Sequence, residues 1–194
     1  MNELLIDKYN DISNPNDLYK FIVNNIEYGY LGKNGKIYNV NDENFYKDWL
    51  ENYILQFSED ILKTKIGTCW DQVEFERYWF KEHGYEIKTI YEMVYVDYEN
   101  DYPTHSCLFY KDLITNDWYW FECADYANRG IYKFNNFENA LMFQLNKYKE
   151  CLKNYNINFN EINNIVVYEY GLPKRYIGVN EYIDFCLNSN KLNI

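Results

Sequence analysis

The sequence predicts an α+β fold in which helices from the first part of the chain pack on an antiparallel sheet built by the second part. Up to residue 83, apolar residues recur at helical spacing. From residue 85 the chain changes to short runs rich in Ile, Val, Thr and Tyr, which favour strands. Because short polar turns join most of these runs, we expect hairpins and hence an antiparallel sheet.

The first two helices carry no chemical motif, and we interpret them as packing elements. One starts within residues 14–17, where Asn16 or Asp17 is the expected cap. A turn with two glycines at 31–36 separates it from the next helix, which opens at 41–42. The apolar positions of the two helices are Leu18, Phe21, Ile22 and Ile26, and then Phe45, Trp49 and Tyr53.

A third helix is predicted to begin in the stretch 67–72, after a short turn capped at 58–60. A Gly-Thr pair before an apolar-periodic run is typical of a loop followed by an N-cap, here Thr68, and the run closes at His83. Cys69 then lies in the first turn, where free backbone N–H groups and the helix dipole favour a nucleophilic thiolate. The alternative is that Cys69 is a small core residue.

The second part of the chain contains four predicted strands and two predicted helices. An acidic turn at 99–103 separates the first two strands, and a polar turn at 114–117 joins the second strand to the third. The strands are 85–97, 104–110, 118–123 and 165–170, and the helices are 137–152 and 180–187.

Length and charge limit the possible functions. The 194 residues are expected to form a single domain, 1–194. The formal net charge of −11 argues against non-specific nucleic-acid binding and against docking on an anionic membrane, because phosphates would be repelled. The same field favours a cationic peptide or protein as substrate, although salt screens it.

The cysteine pattern points to a reducing, cytoplasmic compartment. An odd number of irregularly spaced cysteines does not indicate a disulfide framework. The first residues lack the basic segment of a signal peptide, and no stretch reaches about 18 apolar residues, the length of a membrane span. The five cysteines are Cys69, Cys107, Cys123, Cys151 and Cys186.

A thiolate nucleophile needs a base, and the chain has only two histidines. His83 closes the predicted third helix; about 14 residues at 1.5 Å each place it roughly 20 Å from Cys69. His105, at the start of the second strand, is therefore the candidate base, although a lone histidine there is more often an ordinary surface or core residue.

An acid is needed to orient the imidazole and stabilise its cation. Glu122 lies among aromatic residues at the end of the third strand, and Asp125 follows three residues later. Opposed residues of an antiparallel pair share a face, so the parity of the turn decides between them. An even turn such as 114–117 puts Glu122 on the face of His105, whereas an odd turn selects Asp125; the even turn makes Glu122 the first choice.

Three short blocks carry these candidates: GTCWD (67–71), THSCLFY (104–110) and WYWFE (118–122). Their order and spacing resemble the signature blocks of the transglutaminase-like superfamily, across about residues 61–133. In that family a Gly-x-Cys stretch opens a helix, a His starts one strand, and an acid follows a Trp-containing run on the next. The family usually has Asp where this chain has Glu122.

The resemblance implies a papain-like core with a Cys69-His105-Glu122 triad. With that triad we expect a cysteine-dependent acyl-transfer enzyme that hydrolyses a peptide or isopeptide amide bond, since nothing in the sequence suggests a second amine site. The resemblance implies no cofactor. Because the superfamily includes members without activity, the alternative is an inactive module that binds a peptide or protein in an aromatic groove. A metal site of His105, Cys107 and Cys123 is a weaker alternative, because the paired Cys-x-x-Cys spacing of structural zinc sites is absent.

Overall fold

An antiparallel six-stranded sheet forms the centre of the structure, a computed structural model that describes residues 3–43, 45–94, 103–154 and 164–194. The α+β class predicted from the sequence is confirmed. A separate two-stranded hairpin consists of β1 (Gly29–Leu31) and β2 (Ile37–Asn39). The strands of the main sheet are β3 (Glu86–Val94), β4 (Thr104–Lys111), β5 (Trp118–Glu122), β6 (Gly130–Phe134), β7 (Ile165–Tyr170) and β8 (Asn190–Lys191), in the order β6-β5-β4-β3-β7-β8.

Helices cover both faces of this sheet. None of the described helices combines a membrane-spanning length with a sufficiently apolar sequence. The helices are α1 (Glu3–Asn10), α2 (Pro15–Asn25), α3 (Phe45–Asn52), α4 (Ser58–Thr64), α5 (Cys69–Glu82), α6 (Phe137–Asn154) and α7 (Val179–Leu187).

Alternation along β4 shows how the two faces are covered. Leu108 and Tyr110 pack into a cluster with α1, α2 and α5, whereas Cys107 and Phe109 pack on the other face with residues of α6. A third cluster joins the β1–β2 hairpin, α3 and α7 around Trp70, the second residue of α5. The N-terminal end of α5 therefore lies where these layers meet, which brings it to one end of the sheet.

The start of α5 is fixed by reciprocal hydrogen bonds, with Thr68 as the N-cap, as predicted. The Thr68 hydroxyl accepts from the Asp71 N–H at 3.4 Å, and Asp71 Oδ2 accepts from the Thr68 N–H at 2.8 Å. Asp71 Oδ1 accepts from the Gln56 N–H at 2.8 Å and from the Tyr53 hydroxyl at 3.0 Å. The fully buried carboxylate of Asp71 thus ties the helix start to the segment before α4.

Several details differ from the sequence prediction. The cap of α2 is Asn14, whose side chain accepts from the Asp17 N–H at 3.0 Å; Asn16 and Asp17 lie inside the helix. The predicted turn at 31–36 is present, but it closes the β1–β2 hairpin, which was not predicted. Helix α1 and strands β6 and β8 were also missed. Residues 95–97 of the first predicted strand, and 99–102 of the acidic turn, lie outside the described residues.

A substitution at Gly29 tests how closely the β1–β2 hairpin packs against its neighbours. A Cβ atom there would lie 2.1 Å from Ile66 Cδ1 and 2.4 Å from the Tyr38 carbonyl oxygen, which cannot move without disturbing the β1–β2 ladder. We expect Gly29→Ala to lower the free energy of unfolding by about 2–3 kcal/mol through this overpacking. Urea denaturation monitored by circular dichroism measures the change.

Gly171→Ala is the matched control, because a Cβ atom there meets no heavy atom within 4 Å. It should change the free energy of unfolding by no more than about 0.5 kcal/mol. Equal losses in the two variants would contradict the close approach of Gly29 to Ile66 and Tyr38.

Candidate active site

Cys69 lies in the first turn of α5, as predicted, and its residue surface is 6% exposed. The hydroxyl of Tyr28, just before β1, donates to Cys69 Sγ over 3.9 Å. Burial, and after it the neighbouring Cys69 thiol, raise the pKa of Tyr28 well above its ordinary value, while the Cys69 backbone N–H opposes this by stabilising the phenolate. Tyr28 therefore keeps its proton and acts as a donor beside the thiol.

His105 and Glu122 form a buried ion pair. The His105 Nε2 and Glu122 Oε2 atoms are 2.9 Å apart, and the two side chains are 14% and 2% exposed. Glu122 Oε1 accepts from the backbone N–H groups of Ala124 and Asp125, each at 2.8 Å. A carboxylate that already accepts two backbone protons is fixed in place, so His105 donates from Nε2 and its Nδ1 is left to serve another group.

The environment of His105 favours its cation. Burial alone would lower the pKa of this imidazole, but the Glu122 carboxylate and the Cys69 thiol outweigh it, and together they raise the pKa well above the ordinary value. The contribution of Cys69 to this shift, and the cavity that both side chains line, put the thiol close to the imidazole. The three sequence candidates thus lie together: Glu122 contacts His105, and His105 lines one cavity with Cys69.

The register of β4 and β5 explains why Glu122 and not Asp125 meets His105. The paired residues run from Leu108 opposite Phe121 to Lys111 opposite Trp118, so the connecting turn is 112–117, an even number of residues. Even-numbered positions of β5 therefore share the face of His105.

The alternative acid, Asp125, is engaged elsewhere. Its Oδ1 accepts from the Ala127 N–H at 3.0 Å, and its Oδ2 accepts from the Asn128 side-chain amide at 2.7 Å. Both oxygens stabilise the turn that follows β5. His83 likewise stays at the end of α5, where its Nδ1 lies 2.8 Å from the Trp79 carbonyl oxygen.

The metal alternative does not assemble. Cys107 packs on the α6 face of the sheet, whereas Cys123 packs on the α5 face, so they cannot converge with His105 on one ion. Across the described ranges, no group of three or more His, Cys, Asp or Glu residues is arranged to hold a metal.

A cavity of about 350 Å³ opens onto this site. Cys69 and His105 line it together with Tyr28, Gln144 and Tyr148, and Trp120 contributes to the same wall. Sequence analysis did not identify Tyr28, Gln144 or Tyr148 as functional residues. No local pattern in the sequence marks them, because their position beside the cavity depends on how the hairpin and α6 pack.

Comparison of the chain with protein-family models, with curated proteins and with solved structures gave no match.

The contact between Glu122 and His105 predicts how the site titrates. Glu122→Gln keeps the shape of the acid but removes its charge, so the pKa of His105 should fall. The imidazolium that stabilises a Cys69 thiolate is then lost, and alkylation of Cys69 by iodoacetamide near pH 7 should slow by about tenfold to a hundredfold, the size of effect that a fall of about one to two units in the pKa of His105 would give. The rate of alkylation against pH is the measurement.

Asp125→Asn serves as the control, because the amide oxygen can still accept from Ala127. Its alkylation profile should match that of the wild-type chain. A shift in Asp125→Asn together with an unchanged Glu122→Gln profile would show that Asp125 is the partner of His105 in solution.

Proposed function

We propose that this protein is a cysteine-dependent acyl-transfer enzyme with a transglutaminase-like, papain-related core, and that it hydrolyses a peptide or isopeptide amide bond. The observation that carries the proposal is the 2.9 Å contact between His105 Nε2 and Glu122 Oε2, made while His105 lines one cavity with Cys69, which lies at a helix start. A nucleophile, a base and an orienting acid are thus aligned beside one cavity.

Each residue of the triad has a distinct role in the proposed reaction. The Cys69 thiolate attacks the amide carbonyl carbon and forms a C–S bond, and the electron pair moves to the carbonyl oxygen. The Cys69 backbone N–H, at the positive end of α5, stabilises that oxygen. His105 gives its Nδ1 proton to the leaving amine, which departs as the thioester forms.

Water completes the cycle. His105, now neutral, takes a proton from a water molecule that attacks the thioester carbonyl, and Cys69 leaves as the thiolate while the acid product is released. Glu122 holds the imidazole throughout and stabilises its cation in both steps. Hydrolysis is preferred to amine transfer in this proposal because no second amine site is indicated.

The proposed substrate is a peptide or protein with cationic character, in line with the net charge of −11. We place the reaction in the cytoplasm, because all five cysteines are free thiols and a reducing compartment would keep Cys69 active.

A catalytically inactive binding module is the second candidate. It is favoured by the 6% exposure of Cys69 and by the Tyr28 hydroxyl that occupies one side of its sulfur. In that case the aromatic cavity would hold a peptide or protein without chemistry. The reactivity of Cys69 separates the two candidates.

Thiol mapping tests the nucleophile. Burial raises the pKa of each of the other four cysteines, so alkylation with iodoacetamide near pH 7 should label Cys69 first and stoichiometrically. Peptide mass mapping identifies the labelled residue. The four comparison thiols are Cys107, Cys123, Cys151 and Cys186.

Cys69→Ala is the matching variant. It removes one sulfur atom at the helix start, so the far-ultraviolet circular dichroism spectrum should stay unchanged while labelling and any acyl adduct with a peptide thioester disappear. An inert Cys69 in the native wild-type chain, with another cysteine labelled first, would exclude the enzyme and favour the binding module.

A further inference from the structure

Where α5 packs on the sheet, buried acidic side chains outnumber buried basic ones. Glu74 pairs with Arg77 at 2.8 Å, and Glu122 pairs with His105. Glu76 and Glu92 are equally buried, at 2% and 0% exposure, yet neither forms an ion pair within the described part of the chain. An ionised carboxylate without a partner is costly in such surroundings, so these two side chains require another explanation.

Glu92 lies directly opposite His105 in the pairing of β3 with β4. Its Oε1 accepts a hydrogen bond from Nε2 of Gln144, a residue of α6 that lines the cavity and is 1% exposed. Among the described residues, Glu92 Oε2 and Gln144 Oε1 are both buried without a hydrogen-bond partner. The two oxygens without a partner thus belong to two side chains that already share one hydrogen bond.

A single proton on Glu92 would give both of these oxygens a hydrogen-bond partner. If Glu92 were ionised, its Oε2 and Gln144 Oε1 would both be acceptors with nothing to accept. If Oε2 carries a proton, it becomes a donor, and the Gln144 carbonyl oxygen is the unused acceptor on the amide that it already contacts. A neutral carboxylic acid and a carboxamide satisfy each other through two parallel hydrogen bonds.

We propose that Glu92 is an uncharged carboxylic acid at neutral pH, doubly hydrogen-bonded to Gln144, and that this neutral pair keeps a second negative charge away from His105. Glu92 is a positioning residue here, because it acts through His105. The structural claim stands without the proposed reaction, whereas its catalytic consequence rests on that reaction.

Burial supports the assignment, because it raises the pKa of Glu92 to about 8, with His105 opposing this shift and Glu122 adding to it. Strand β7 offers only an apolar neighbour, Val167, opposite Glu92. The ionisable or polar groups that influence or face Glu92 are His105 and Cys107 on β4, Glu122 and Asp125 on and after β5, and Gln144, Tyr148 and Cys151 on α6.

Ionisation of Glu92 would have two effects. A negative charge opposite His105 would make the imidazolium hold its proton more tightly, so it would become a weaker acid toward a leaving amine. Because the pKa of Glu92 is raised on folding, its contribution to stability is fully present below the unfolded value of about 4.5 and is lost as pH rises through about 8. The first effect would slow the proposed reaction, and the second would destabilise the fold above about pH 8.

Glu92→Gln is the decisive variant, since a second amide reproduces both hydrogen bonds of the neutral acid but cannot ionise. With only two histidines, the imidazole resonances of His105 and His83 can be followed by NMR, and His83→Gln assigns them. Because Glu92 is neutral below about pH 7 in this proposal, we expect the His105 resonances of Glu92→Gln to match those of the wild-type chain up to that pH, whereas Glu122→Gln lowers the His105 midpoint by about one unit or more. Any change in His105 resonances near pH 8 should also disappear in Glu92→Gln.

A change in the His105 resonances between about pH 5 and pH 7 that is present in the wild-type chain and absent in Glu92→Gln would overturn the proposal, because it would show that Glu92 already ionises below neutral pH. The wild-type chain gives a check that needs no variant: the assigned side-chain carboxyl carbon of Glu92 should titrate near pH 8. A Glu92 carboxyl that is already ionised at pH 6 would likewise overturn it. Neither measurement requires Cys69 to react, so failure of the proposed reaction leaves these outcomes unaffected.

Discussion

The buried carboxylate of Asp71 is the interaction on which the rest of the site depends. It joins the first turn of α5 to Gln56 and to Tyr53, and Tyr53 in turn forms a bridge with Gly32 in the hairpin turn. Burial raises the pKa of Asp71 to about 7, while the surrounding donors lower it. A buried carboxylate is stable only when all of its hydrogen-bond donors are in place. The start of α5, the β1–β2 hairpin and the segment before α4 therefore have to form together.

The triad candidates could be predicted because each follows from a local rule. The Gly-Thr pair placed Cys69 in the first turn, and the structure confirms Thr68 as the cap. Elimination of His83 left His105, and the parity of a hairpin turn selected Glu122 over Asp125. Because a strand alternates strictly between two faces, the two-residue difference between the predicted turn 114–117 and the observed turn 112–117 keeps the parity and leaves the choice intact, whereas a difference of one residue would have selected Asp125.

The surroundings of the triad could not be predicted, because they depend on contacts between distant parts of the chain. Tyr28 and Cys69 are separated by 41 residues, and Glu92 and Gln144 by 52. The β1 and β2 strands have three residues each, too few for a period of two to be visible. The cap of α2 was misplaced for a related reason: Asn14, Asn16 and Asp17 are all good caps, and only Pro15 in the first turn favours Asn14.

Three of the buried cysteines can also report local unfolding of the chain, without any added label site. Cys107 lies under α6, Cys123 lies under α5 on the opposite face, and Cys186 lies in the cluster that joins α7 to the hairpin; all are at most 1% exposed. A thiol so deeply buried reacts only when the layer above it opens, so its labelling rate reports the free energy of that opening. The three rates would therefore rank the layers of this fold by how readily each separates from the sheet.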